Sequence, residues 1–225
     1  MHMCDKLERL KQFYIPGNYE KTSQNLMNAV NWDIIPVDIK EILSRLNIPF
    51  YSKDFNESES ELQKMGYSDK IQGMIHVEGE DIDIFYNNKF NPSNNANEKE
   101  IKSSEHKINF TLAHELAHSI LHAQDISSNG GLVDLYRSED TIDVKEIEAN
   151  TLAGEILMPR KPFVTFFNVC ISDNKTIQET INSLSILFNV SENVVKARIN
   201  YLGLDSNENV VKARINNLGL DSNFS

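Results

Sequence analysis

Apolar residues Val37, Ile39, Ile42, Leu43 and Leu46 recur at helical spacing and predict a helix over residues 36–46, with Pro36 near its start. Ile48-Pro49-Phe50-Tyr51 is a short strand candidate. Residues 73–77 and 81–86 predict two more strands, joined by Glu78-Gly79-Glu80. In the second, Ile82, Ile84 and Tyr86 alternate with Asp81, Asp83 and Phe85, as in a half-buried strand. Ile108, Phe110, Leu112, Ala113, Leu116, Ala117, Ile120 and Leu121 then mark a mostly apolar helix over residues 107–122. A second apolar face, Ile147, Ala149, Leu152, Ala153, Ile156 and Leu157, predicts a helix that Pro159 stops. Farther on, 177–188 and 192–202 read as two helices joined by Asn189-Val190-Ser191. Ser191 is placed to cap the second and Gly203 to end it, with Val194, Val195, Ile199 and Leu202 on its buried side.

The remaining stretches read as connections. Residues 1–30 are weakly periodic and predict a peripheral helix. The Asn-rich run 87–104 predicts a loop, and so does 125–141, whose Gly130-Gly131 would let it fold over a cleft. The expected architecture is α+β, a small antiparallel sheet beside one long helix with a helical hairpin at the C-terminal end. An edge strand of that sheet could hold an extended peptide by main-chain hydrogen bonds. The division expected is a peripheral segment over 1–35, a core over 36–170 and a helical appendage over 171–225. Within the appendage, residues 192–207 (ENVVKARINYLGLDSN) recur as 208–223, differing only at Tyr201 against Asn217. So close a repeat reads as a tandem duplication whose second helix, short of one aromatic, is a frayed extension.

The chain has 225 residues and a formal net charge of −11, which argues against a general nucleic-acid binder. The helix-turn-helix outline of 177–202 does not change this, since its second helix offers only Lys196 and Arg198 against Glu192. The polar opening Met1-His2-Met3-Cys4-Asp5-Lys6 is not that of a signal peptide, and no apolar run reaches the roughly 20 residues needed to span a bilayer. Cys4 and Cys170 make no metal or redox spacing, so a reducing, cytoplasmic setting is expected. The Lys-over-Arg, Asn- and Ile-rich composition fits an AT-rich bacterial genome.

Candidate chemistry lies in His114-Glu115-Leu116-Ala117-His118. Residues four apart share a helix face, so both imidazoles can hold one metal ion. The Glu between them can take a proton from a water that the cation has acidified. Three titratable groups in an apolar stretch are costly unless they are paired or bind metal. A third ligand is expected downstream, and the second helix offers Glu146 and Glu148. These point about 160° apart on a regular helix, so only one can face the metal. Glu146 shares its face with Asn150, which could orient a metal-bound His. Tyr136, Arg137, His76 and His122 are candidates for stabilising an oxyanion. His122, near the same helical face, reads better as a cap or a supporting residue than as a fourth ligand, and His106 as solvated just before the helix.

Taken together, Phe110-Thr111-Leu112-Ala113-His114-Glu115-Leu116-Ala117-His118, Leu121-His122, Glu146-x-x-Ala149-Asn150-x-Leu152-Ala153 and Leu157-Met158-Pro159 resemble the ImmA/IrrE family of zinc metallopeptidases. The resemblance covers roughly residues 36–204. It implies a zincin-like core in which His114, His118 and Glu146 hold Zn²⁺, or another divalent ion such as Mn²⁺, and Glu115 is the general base. It also implies a narrow protein substrate, a helix-turn-helix transcriptional repressor of a stress response or mobile element. The chain departs from the family at Ala117, where Gly is common, and at Leu152, where Phe is common. The run 91–104 is also longer and more polar than expected, which bears on the rim of the cleft. The other function class that the sequence allows is a metal-organised binding module that sequesters a repressor or toxin without cutting it.

Overall fold

The computed structural model describes residues 5–55, 72–78, 81–128, 132–133 and 144–204. They fall into two units, one of residues 1–34 and 38–156, the other of 35–37 and 157–225. Position 170, where a division was expected, lies within a helix of the second unit.

The first unit opens with α1 (Asp5–Lys11), α2 (Tyr19–Ala29) and α3 (Ile39–Arg45). The N-terminal residues are not peripheral. Leu7 and Leu26 are fully buried, Leu10 nearly so, and Lys6 Nζ pairs with Asp81 at 3.1 Å. Two short amphipathic helices, too brief to show a clear period in the sequence, supply this part of the core. The third helix starts later than its apolar spacing implied. Asp38 Oδ1 accepts from the N–H groups of Lys40 and Glu41, which makes Asp38 the N-cap and leaves Pro36 outside.

Strands β1 (Phe50–Lys53), β2 (Gly73–Glu78), β3 (Asp81–Asn87) and β4 (Leu132–Val133) form one sheet in the order β1-β3-β2-β4. β2 is antiparallel to β3, as expected, and also to β4, but β1 runs parallel to β3. The sheet is therefore mixed rather than antiparallel. Parallel neighbours need a long connection, and here β2 lies within it in sequence, on the far side of β3. Register Gly73↔Tyr86, Ile75↔Ile84, Val77↔Ile82 puts these residues on one face, where Ile75, Ile82 and Ile84 have no exposure.

That face meets α4 (Glu98–Leu121), which begins well before the apolar pattern does. Asn97 Oδ1 accepts from Glu100 N–H, and the Glu100 carboxylate accepts from Asn97 N–H, a reciprocal capping box. The polar run expected as a loop is thus partly the solvated first half of this helix. The region beyond α4 was also expected as a loop, yet it contains α5 (Ala123–Ser128) and β4. The unit's last helix, α6 (Val144–Leu157), buries Ala149, Leu152, Ala153 and Ile156. Ile147, expected on that face, is half exposed at 52%. Ser23 Oγ donates to the Glu155 carbonyl at 3.3 Å and fastens α2 to α6.

The second unit contains α7 (Arg160–Ser172), α8 (Ile177–Phe188) and α9 (Glu192–Tyr201). The hairpin of the last two follows the sequence closely. Ser191 Oγ accepts from Val194 N–H, Gly203 takes a positive φ of 64°, and Asn189 ends α8 with φ 51°. Phe163, Phe167, Leu184, Phe188, Val195 and Ile199 form its core, while Val194 and Leu202 are half-buried. Arg198 is buried, with its guanidinium 5.6 Å from the Tyr201 ring. The second copy of the repeat lies outside the described residues. Asn31, Asn47, Asn174 and Asn189 all adopt positive φ just past helices, a place that more often takes glycine. Among the described residues no helix is long and apolar enough to cross a membrane.

Candidate metal centre

The second half of α4 runs through the interior of the first unit. Leu112, Ala113, Leu116 and Ala117 have no exposure, and His114, Glu115 and His118 are buried among them. One helical turn brings the two imidazoles together, with His114 Nε2 and His118 Nε2 2.9 Å apart. The first turn of α6 delivers a carboxylate to the same point. Glu146 Oε2 lies 3.3 Å from His114 Nε2, and Oε1 lies 3.2 Å from His118 Nε2.

This donor set fits a divalent cation. Tetrahedral bonds of about 2.0–2.1 Å place ligand atoms about 3.3–3.4 Å apart, close to the 3.3 and 3.2 Å from each Nε2 to its nearer Glu146 oxygen, with the two Nε2 atoms closer together at 2.9 Å, and leave a fourth side open. Two imidazoles and one carboxylate are also the ligand types suited to zinc. The tautomer of His114 agrees. Its Nδ1 is 3.0 Å from Asn150 Oδ1, which can only accept, so Nδ1 carries a proton and Nε2 faces His118 and Glu146. His118 Nδ1 is buried without a hydrogen-bond partner among the described residues.

Charge states favour the same reading. Burial pushes the His118 imidazole down to about 4, against the opposing hydrogen bond of Glu146. Burial alone would raise Glu146, but its hydrogen bonds to His114 and His118 prevail and hold it well below the usual carboxylate range. At neutral pH the site offers a neutral imidazole at His118 and an ionised carboxylate at Glu146, the forms in which such groups bind metals.

The other candidates separate clearly. Glu115 is buried on α4, and its carboxylate lies against Gly73 of β2 and Thr111. Its own carbonyl accepts from Ser119 Oγ at 3.0 Å. Glu148 turns away from the His114 and His118 imidazoles, toward Tyr19 Oη at 3.3 Å and His122 Nε2 at 3.9 Å. His122 is the C-cap residue of α4, with its ring 5.3 Å from His118 and Nε2 3.4 Å from the Lys145 carbonyl. His76 stands three residues from Gly73 on a pleated strand, so it projects from the opposite face, 3.8 Å from Asp83. It is not brought to the metal centre. His106 lies within α4 rather than before it, half-buried. Tyr136 and Arg137 lie outside the described residues. Sequence reasoning missed Gly73 and Thr111. The only local signal was a glycine opening a strand, which can mark a close backbone approach.

A family model, Peptidase_M78, described as the IrrE N-terminal-like domain, matches residues 97–200. No curated protein and no solved structure matches the chain. The matched stretch begins at the N-cap of α4 and takes in both helices that bring His114, His118 and Glu146 together. Residues 97–200, a little under half of the chain, are thus similar to the IrrE N-terminal-like domain of Peptidase_M78, a family of metallopeptidases.

Proposed function

We propose that the protein is a zinc-dependent endopeptidase with a zincin-like core, in which His114, His118 and Glu146 hold the metal and Glu115 is the general base. The observation that carries this reading is the convergence of two Nε2 atoms and one carboxylate, with edges of 2.9, 3.3 and 3.2 Å, on a buried helix pair. A zinc ion held there would acidify a water and polarise a peptide carbonyl. Glu115 follows His114 on the same helix and projects to the sheet side of the ligands. Its carboxylate takes a proton from the attacking water and returns it to the leaving amine. Asn150 keeps the His114 ring turned so that Nε2 faces its co-ligands. The substrate is a protein, and resemblance to the ImmA/IrrE family supports a helix-turn-helix repressor.

The test is to add zinc-loaded protein to a lysate of the source cells and label new amino termini. Wild type is expected to create a small set of them. Glu115→Gln is expected to retain zinc and create none. New termini at the wild-type rate from Glu115→Gln would sink the mechanism.

A further inference from the structure

Gly73 opens β2 with a backbone that any residue could adopt, since its φ is not in the left-handed region. What excludes a side chain there is space. A Cβ on Gly73 would lie 2.5 Å from Glu115 Oε1, 2.9 Å from Glu115 Cγ and 2.6 Å from Thr111 Cγ2. Non-bonded carbon atoms pack at about 3.5–4.0 Å, so an added methyl and the present Glu115 rotamer cannot coexist. Ile75, two residues along the same face, is fully buried, so the strand here is backed by packed core. The gap at Gly73 is therefore a seat of fixed position, and the carboxylate of Glu115 fills it.

We infer that Gly73 is a positioning residue for the reaction. The missing side chain on the strand, with the Thr111 methyl beside it, fixes the rotamer from which Glu115 exchanges protons. This rests on the reading of Glu115 as the general base. The seat itself is a matter of packing and holds independently of any substrate. A base held by a rigid strand needs no rearrangement when substrate arrives, and displacement by an ångström costs on the order of 10²-fold in rate.

The experiment uses the full, zinc-loaded chain in two arms. Thermal unfolding is compared for wild type, Gly73→Ala, Glu115→Ala and the double variant. Gly73→Ala is expected to lower Tm in the wild-type background and to lower it less where Glu115 is Ala, because two of the three clashing atoms are gone and only Thr111 Cγ2 remains. An equal loss in both backgrounds would overturn the proposal. In the second arm, Gly73→Ala is assayed on a quenched-fluorescence peptide spanning a bond that wild type cuts in lysate. Zinc content is expected to stay at the wild-type level, KM within about twofold, and kcat to fall on the order of 10²-fold. Full kcat in Gly73→Ala would show a purely structural contact and overturn the proposal. Should Gly73→Ala prove too unstable to purify, Gly73→Ala/Thr111→Ser removes the methyl contact and carries the same comparison. If wild type cuts nothing, the peptidase reading fails, while the melting cycle still decides whether Gly73 seats Glu115.

Discussion

Asn150→Ala removes one acceptor and leaves all three proposed ligands in place. Asn150 Oδ1 accepts from His114 Nδ1–H at 3.0 Å, which turns the Nε2 of that ring toward His118 and Glu146. A net hydrogen bond between neutral groups is worth about 0.5–1.5 kcal/mol. Freeing the ring to choose between two tautomers adds roughly RT ln 2, about 0.4 kcal/mol at room temperature. The sum, about 1–2 kcal/mol, corresponds to a zinc affinity weaker by roughly five- to thirtyfold, which overlaps the lower part of the roughly 10–100-fold range typical for partners of metal-bound His. The assay is competition for zinc against a chromophoric chelator at pH 7. Asn150→Asp is the companion variant: an anionic acceptor strengthens the same hydrogen bond and is expected to bind zinc at least as tightly as wild type. Zinc affinity of Asn150→Ala within about twofold of wild type would refute the reasoning, for it would mean that the ring needs no external orientation.

Acid is expected to destabilise the metal-free protein in a defined window. His118 takes up its proton near pH 4 when folded, against 6.5 ordinarily, so the unfolded chain binds more protons between those values and stability falls as pH is lowered through them. The full drop is about 3 kcal/mol, and Glu146, held low by the two imidazoles, adds a further loss below about pH 4.5. Urea midpoints measured from pH 7 to 4 check this, and a flat profile would contradict it. Asn97→Ala breaks the capping box of α4 and is expected to cost about 1 kcal/mol. Hydrogen exchange should then quicken in the first turns of α4 and leave the buried turns around His114 protected.

How much of this could be read from the sequence follows from how local each determinant is. The apolar half of α4, the shared face of Glu146 and Asn150, and the turn from Phe188 through Ser191 are set by residues within one or two helical turns of each other, and each is found at the expected residues. The start of α4 was written just as locally, in Asn97 and Glu100, but its first turns are solvated and carry no apolar period, so the polar run looked like a loop. The parallel seat of β1 on β3 has no local signature, because it depends on where β2 inserts. Ile147 has the right spacing for the core and lies outside it, since the buried arc of α6 is narrower than its apolar residues suggest. Gly73 was illegible for a different reason. Its meaning is an empty space, and the residue that fills it lies on another element, in Glu115.

If His114, His118 and Glu146 form one metal site, metal analysis of the purified protein will show it. Protein isolated without added metal and then offered zinc is expected to hold about one zinc per chain. His118→Ala, missing one of the two Nε2 donors, is expected to lose it while remaining folded. Folded wild-type protein that takes up no zinc, or a His118→Ala variant that binds it as tightly as wild type, would contradict the account.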